Sequence, residues 1–303
     1  MAAHKPAKAP TLYEGGHDKS TNCRAAWPRR KSQAESIIMK AVVALVVALS
    51  ACRQQPTPIV DNSSEVAVPA DRSEAKPAAK AFEFEENTDL IEFHYGWSAE
   101  AAAIPQLVER FRKDMAKVKA DLLKGATEDK AMRDKEGFDF HGYMSSTDYE
   151  TAGQTSRLLS LRVEAGSFTG GAHGNSGTAA LLWDRQAARR VNDTDLFAEA
   201  ANRDRVLTQR WCDALNKARE EKRGTPVAGN EMFDECPKLE EIAVIPADKD
   251  GNGRFERLLL VASPYVAGPY AEGSYEIELA VTPDVIAALK SDYRSGFESP
   301  QAQ

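Results

Sequence analysis

The clearest pattern in the chain lies at residues 88–97, TDLIEFHYGW. Ile91, Phe93, Tyr95 and Trp97 alternate there with Glu92, His94 and Gly96. Successive side chains of a strand point to opposite faces, so this stretch predicts a strand with one strongly apolar face and His94 on the more polar one. Next, Ile104, Leu107, Val108, Phe111, Met115, Val118 and Leu122 fall at helical spacing and form a single apolar stripe. Pro105 suits the first turn of that helix, and the stripe reads as core rather than as a cofactor box.

From Phe138 to Trp183 the pattern returns to strands. Leu159, Leu161 and Val163 alternate with Ser160, Arg162 and Glu164, and a second β-capable run covers Thr178 to Trp183. The stretch SFTGGAHGN, residues 167–175, lies between these runs and predicts a hairpin connection. Asn192, Asp193, Thr194 and Asp195 offer N-caps for a helix carrying Leu196, Phe197, Val206, Leu207, Trp211 and Leu215 and ending near Gly224. In the last third, Ile242 to Ile245 and Phe255 to Ala262 flank DKDGNG at 248–253, which reads as a hairpin. Tyr275 to Val281 adds a strand, and Pro283 opens a terminal helix bearing Val285, Ile286 and Leu289. Strands in groups with a few helices predict an α+β fold, antiparallel sheets with packed helices.

The first 81 residues look different. The apolar run from Ala41 to Ala51 is about half the roughly 20 residues a membrane-spanning helix needs, and reads as a signal-peptide core. It ends in Leu49, Ser50, Ala51 and Cys52, which resembles the bacterial lipobox. That resemblance implies lipidation at Cys52, against a soluble signal peptide that happens to contain a cysteine. Met39 and Lys40 already make a minimal start for this signal, so residues 1–38 read as an upstream extension and 39–51 as the signal. Residues 52–81, rich in Pro, Ala, Ser and charge without periodicity, read as a disordered tether.

Without residues 1–51, the chain holds 31 basic and 43 acidic residues, a net charge of −12. Such acidity disfavours general nucleic-acid binding and suits a basic partner. Cys212 and Cys236 remain beyond Cys52. In an exported chain the pair reads as a disulfide closing a loop of about 24 residues, with two free thiols as the alternative.

Candidate chemistry is sparse. After maturation only His94 and His141 are left to join His173 in a metal site, and no ligand spacing or GxSxG turn is present. The glycines around His173 suit positive φ, with His173 or Asn175 bonding to backbone, so a structural loop is weighed against a ligand-contact surface. Asp248, Asp250 and Asn252 begin like a calcium loop, but Leu259 stands where a bidentate Glu is required, and the β-formers around it favour a plain turn. No metal or other cofactor is therefore expected. In SPYVAGPYAEG, residues 263–273, two Pro-Tyr pairs make either a recognition surface or a rigid connection. Tyr265 is expected inside, and Tyr270 and Glu272 outside.

Three features in order, GGAHGN at 170–175, Asp195-Leu196-Phe197 opening a helix, and PYAEG at 269–273, make the region from Phe82 to Phe297 resemble the PdaC/RsiV-like superfamily of bacterial envelope proteins. The resemblance implies two linked subdomains, PdaC-like at 82–183 and RsiV-like at 184–297. In that superfamily one member carries the module beside a separate polysaccharide deacetylase domain. Another is a transmembrane anti-sigma factor whose outer module binds lysozyme. Neither the deacetylase motifs nor a sigma-binding segment is present in this sequence. The reading is thus an exported lipoprotein, anchored to a membrane and facing the periplasm, with a non-catalytic module. Its expected partner is an envelope protein, of which a lysozyme-like one is the most concrete candidate, or a peptidoglycan ligand, contacted through His173, Asn175, Tyr270 and Glu272. The alternative is a cell-wall glycan hydrolase or deacetylase, or an accessory to one. Oligomeric state and the choice of inner or outer membrane are left open.

Overall fold

The structure, a computed structural model, describes residues 79–229 and 232–300. Cys52, the apolar run before it and residues 52–78 of the expected tether lie outside the described residues. No helix among the described residues is long and apolar enough to cross a membrane.

Two strands open the described chain, β1 (Phe82–Asn87) and β2 (Ile91–Trp97), paired antiparallel with Glu85 beside His94. A short helix, α1 (Ala99–Ala102), leads into a long one, α2 (Pro105–Glu136), with Pro105 in its first turn and Gly137 ending it at φ 76°. The chain then returns as β3 (Tyr143–Gln154), β4 (Leu158–Phe168), β5 (Asn175–Asp184) and β6 (Arg189–Val191), completing a six-stranded sheet in sequence order. The pairings are antiparallel except that β2 runs parallel to β3, a departure from the antiparallel expectation. The reason is geometric: α1 and α2 cross over between β2 and β3, and a helical crossover delivers the next strand in the same direction.

The second half begins with a single turn of 3₁₀ helix at Asp193–Leu196, followed by α3 (Ala200–Arg223). Leu196 and Phe197 thus precede the helix rather than opening it: Asn192 and Asp195 cap the 3₁₀ turn, and Glu199 is the N-cap of α3. Three strands, β7 (Ala243–Ala247), β8 (Arg257–Ala262) and β9 (Tyr275–Ala280), form an antiparallel second sheet. Two short helices, α4 (Pro283–Ala288) and α5 (Ser291–Arg294), close the described chain.

The fold is α+β, with two sheets forming two subdomains. Alternation along the strands dictates the layers. Ile91, Phe93, Tyr95, Trp97, Leu159, Leu161, Leu181 and Trp183 face α2 and pack on its buried Leu107, Phe111, Leu122 and Ala126. On the opposite face, Ala152 and Ala180 meet Ala243, Ile245 and Val261 of the second sheet. The far side of that sheet, with Leu258, Leu260, Tyr275 and Leu279, packs on Val206, Leu207, Trp211 and Leu215 of α3. Where β3 meets the residue after β7, a Cβ on Gly153 would stand 2.6 Å from the amide nitrogen of Asp248, so only glycine fits. A disulfide joins Cys212 of α3 to Cys236 ahead of β7, with 5.5 Å between the Cα atoms.

Candidate ligand-binding site

The sequence places SFTGGAHGN between two β-capable runs, and β4 and β5 do pair there, with Ser167 opposite Asn175. Gly170 turns the chain at φ 85°, a conformation that side chains with a Cβ rarely adopt. At the tip, exposed His173 points Nδ1 at the carbonyl oxygen of Gly174, 2.9 Å away. A carbonyl only accepts, so Nδ1 carries the proton, and in a neutral ring Nε2 is left as an acceptor. The Tyr265 hydroxyl lies 3.2 Å from Nε2 and supplies the donor.

Tyr265 and Tyr270 come from the distant PYVAGPYAEG segment. Tyr270 stacks flat on His173, with 3.8 Å between ring centroids and 19° between planes, and its hydroxyl donates to Gly174 O at 2.8 Å. Tyr265 completes the group, 5.6 Å from Tyr270 by centroids. The two motifs singled out separately in the sequence therefore build one surface. Asn175 begins β5 at its exposed edge.

The exposure expected for the tyrosines is reversed. Tyr265 is 53% exposed, whereas Tyr270 is half-buried. The cause is backbone geometry: Tyr265 sits at φ 70°, held by its amide to Gly268 O at 3.1 Å and by the amide of Val266 to Ser263 O at 3.1 Å. That turn swings the ring outward. Ser263 also ties the segment to the hairpin, because its Oγ accepts the Thr178 amide at 3.0 Å.

Glu272, expected outside, is largely enclosed beneath this surface. Arg223 of α3 grips it at 2.9 Å through Nε and reaches Asp234 at 3.0 Å through Nη1, while the Tyr275 hydroxyl donates to Glu272 Oε2. Burial alone would raise the Glu272 carboxyl, but the hydrogen bonds from Arg223 and Tyr275 outweigh it and hold it below the usual carboxylate range. Burial and the Glu272 contact together push Tyr275 up to about 12. Gly268 makes room for this network, since a Cβ there would collide with the Glu272 carboxylate.

Arg219, one helical turn before Arg223, is fully buried. It donates to the carbonyl oxygens of Ala267, Asp234 and Glu235 and to Asn216 Oδ1, all within 3.0 Å. A charged side chain at the core of a helix thus fixes the loop that carries both tyrosines. Its position in α3, four residues after Leu215 and eight after Trp211, puts it on their buried face and is the signal that the sequence offers.

His94 and His141 do not join His173. His94 lies 2.7 Å from Asp148, and His141 is exposed before β3. Among the described residues, two groups could surround one ion, Glu83 with Glu85 and His94, and Asp248 with Asp250 and Glu256; neither contains His173. In the 248–253 segment the structure shows a hairpin turn between β7 and β8. Asp248 accepts the amides of Gly251 and Gly253 at 2.8 and 2.9 Å, and the Asn252 side chain reaches Glu298.

Fold and site together define a two-sheet α+β module that presents a stacked His-Tyr surface on a hairpin tip. Residues 84–176 match the family model described as "Deacetylase PdaC". Two solved structures of DUF3298 family proteins are similar at 15% identity. One, from Pseudomonas aeruginosa PAO1, aligns over 71% of this chain and 95% of its own, with a TM-score of 0.45. The other, from Bacteroides fragilis NCTC 9343, aligns over 72% and 95%, with a TM-score of 0.42. No curated protein matches the chain.

Proposed function

We propose that this protein is an exported envelope lipoprotein, anchored through Cys52, whose module binds a partner without catalysing a reaction on it. The observation that carries the reading is the exposed His173, Tyr265 and Tyr270 surface. Its rings offer apolar faces with polar tips, a combination suited to sugar rings and to protein side chains alike. Both ring nitrogens of His173 are engaged, by a backbone carbonyl and by a tyrosine hydroxyl, an arrangement that holds the ring rather than activating a nucleophile. Glu272 acts from below, bracing the loop through Arg223 while Tyr270 and Asn175 frame the contact surface.

The partner is a protein or the cell-wall glycan. A basic, lysozyme-like protein is the leading candidate, because a net charge of −12 beyond residue 51 attracts it at long range. Titrating the full chain with lysozyme and, separately, with peptidoglycan fragments tests the reading. Saturable binding to one of them, weakened by Tyr265→Ala, supports it. Absence of binding to both sinks it, as does hydrolysis or deacetylation of the glycan that disappears in a folded His173→Ala variant.

A further inference from the structure

The first sheet carries a second constellation on the face turned away from α2, in strands β1 to β3. Glu83 and Glu85 are two residues apart on β1 and share a face. The register of β1 against β2 sets His94 beside Glu85. Ligand atoms of Glu83, Glu85 and His94 all lie within 4.8 Å of one another. On the other flank of His94, Asp148 of β3 stands opposite Gly96, with its Oδ1 2.7 Å from His94 Nε2. Gly96 leaves this gap open, because a Cβ there would lie 2.8 Å from Asp148 Oδ1 and 3.5 Å from His94 Nε2.

The hydrogen bonding decides what the cluster lacks. Asp148 can only accept, so Nε2 carries the proton, and in a neutral imidazole Nδ1 is left with a bare lone pair. That lone pair lies 3.6 Å from Glu85 Oε1, another acceptor. Two facing acceptors are reconciled either by a second proton on the ring or by a metal cation that both can ligate. Among the described residues no Lys or Arg pairs with Glu83 or Glu85. Glu83 and Asp148 also line a groove of 620 Å³ together with Glu100 and Glu150, and its wall contains no basic residue. The surroundings therefore add negative potential rather than cancelling it.

We propose that Glu83, Glu85 and His94 hold a divalent transition cation of the zinc class, with Asp148 as a positioning residue. One imidazole nitrogen and two carboxylate oxygens match the donors such an ion takes, and three protein ligands leave a fourth position for water or for a donor bound in the groove. A carboxylate on the far nitrogen fixes the ring and increases its basicity toward the metal. The ion would clip edge strand β1 to β2. Because it would bind only where the strands are paired, it stabilises the folded chain by mass action.

The test is calorimetric titration of the chelator-treated full chain with Zn²⁺, with thermal melting in parallel. One equivalent should bind at this site and the melting temperature should climb with Zn²⁺ concentration. Glu83→Gln and Glu85→Gln should abolish that binding, and Asp148→Asn should weaken it about 10- to 100-fold. In the Co²⁺-loaded protein, His94→Gln should change the visible spectrum. Glu83 is exposed, so Glu83→Gln should melt like the parent without metal, which separates lost binding from lost folding. A protonated His94 paired with Glu85 would explain the same contact without a metal. Absence of saturable Zn²⁺ binding overturns the proposal in favour of that pair. Binding that persists undiminished in Glu85→Gln and His94→Gln overturns it by locating the ion elsewhere.

Discussion

Tyr270 stacks on His173 and donates its hydroxyl to the carbonyl of Gly174, so one side chain of the second subdomain grips the hairpin tip of the first twice. The tip is therefore held in place before any partner arrives. This matters for affinity, since ordering a loop on binding costs free energy that a preformed surface does not.

Tyr265 allows recognition to be separated from folding. Its φ of 70° is unfavourable for a side chain with a Cβ but natural for glycine. Tyr265→Gly should leave stability unchanged or raise it by about 1 kcal/mol, while affinity for the partner falls about tenfold or more. Urea denaturation alongside a binding titration reads both effects.

Arg219 should be far less tolerant than a surface arginine. Arg219→Met leaves the carbonyls of Ala267, Asp234 and Glu235 without donors in the core, at a cost of about 3 kcal/mol or more. Arg219→Lys should recover little, because a single ammonium cannot span acceptors arranged for a planar fork. The urea midpoint of each variant measures the loss.

Reducing the Cys212–Cys236 bond, or replacing both cysteines by serine, should destabilise the fold by about 3 kcal/mol. The bond ties α3 to the segment whose carbonyls Arg219 caps, so Arg219→Met and reduction should not be additive. Melting with and without reductant, in parent and variant, checks this.

Acid should act through Asp184 and Glu272. Burial would raise the Asp184 carboxyl, yet the Ala187 amide, the Tyr293 hydroxyl and Arg157 together hold it below its ordinary range, as Arg223 and Tyr275 do for Glu272. A depressed folded pKa adds stability that is complete above the unfolded value of about 4 and is lost as pH falls through the folded value. Stability should therefore drop below about pH 4, and Glu272→Gln should flatten that limb. Tyr275 works in the opposite direction: its contribution is complete below about pH 10 and is lost as pH rises through about 12. Denaturation midpoints against pH give both limbs.

Local periodicity made much of this fold legible. The α2 stripe, the β4–β5 hairpin, the turn at 248–253 and the cysteine pair all follow from spacing and residue type within a short window. What the sequence hid was nonlocal. Whether β2 meets β3 parallel depends on where α2 lays the chain down, and Leu196 and Phe197 suit a helix or a capped turn equally until Leu289 pairs with Phe197. The site divides in the same way. GGAH and PYAEG stood out as motifs, but their meeting, the outward turn of Tyr265 and the burial of Arg219 depend on contacts that no periodicity encodes.

The first sheet is a party wall. Leu159, Leu161, Leu181 and Trp183 furnish the side of α2, while their neighbours Leu158 and Leu182 furnish the side of α3. Neither dwelling can be taken down without stripping a face from the other. The matched segment stops at residue 176, one residue after Asn175 opens β5, so a chain cut there would lose the partner strand along the whole inner half of β4. Recognisable ancestry and mechanical independence have different borders in this protein, and heat should dismantle both subdomains in a single step.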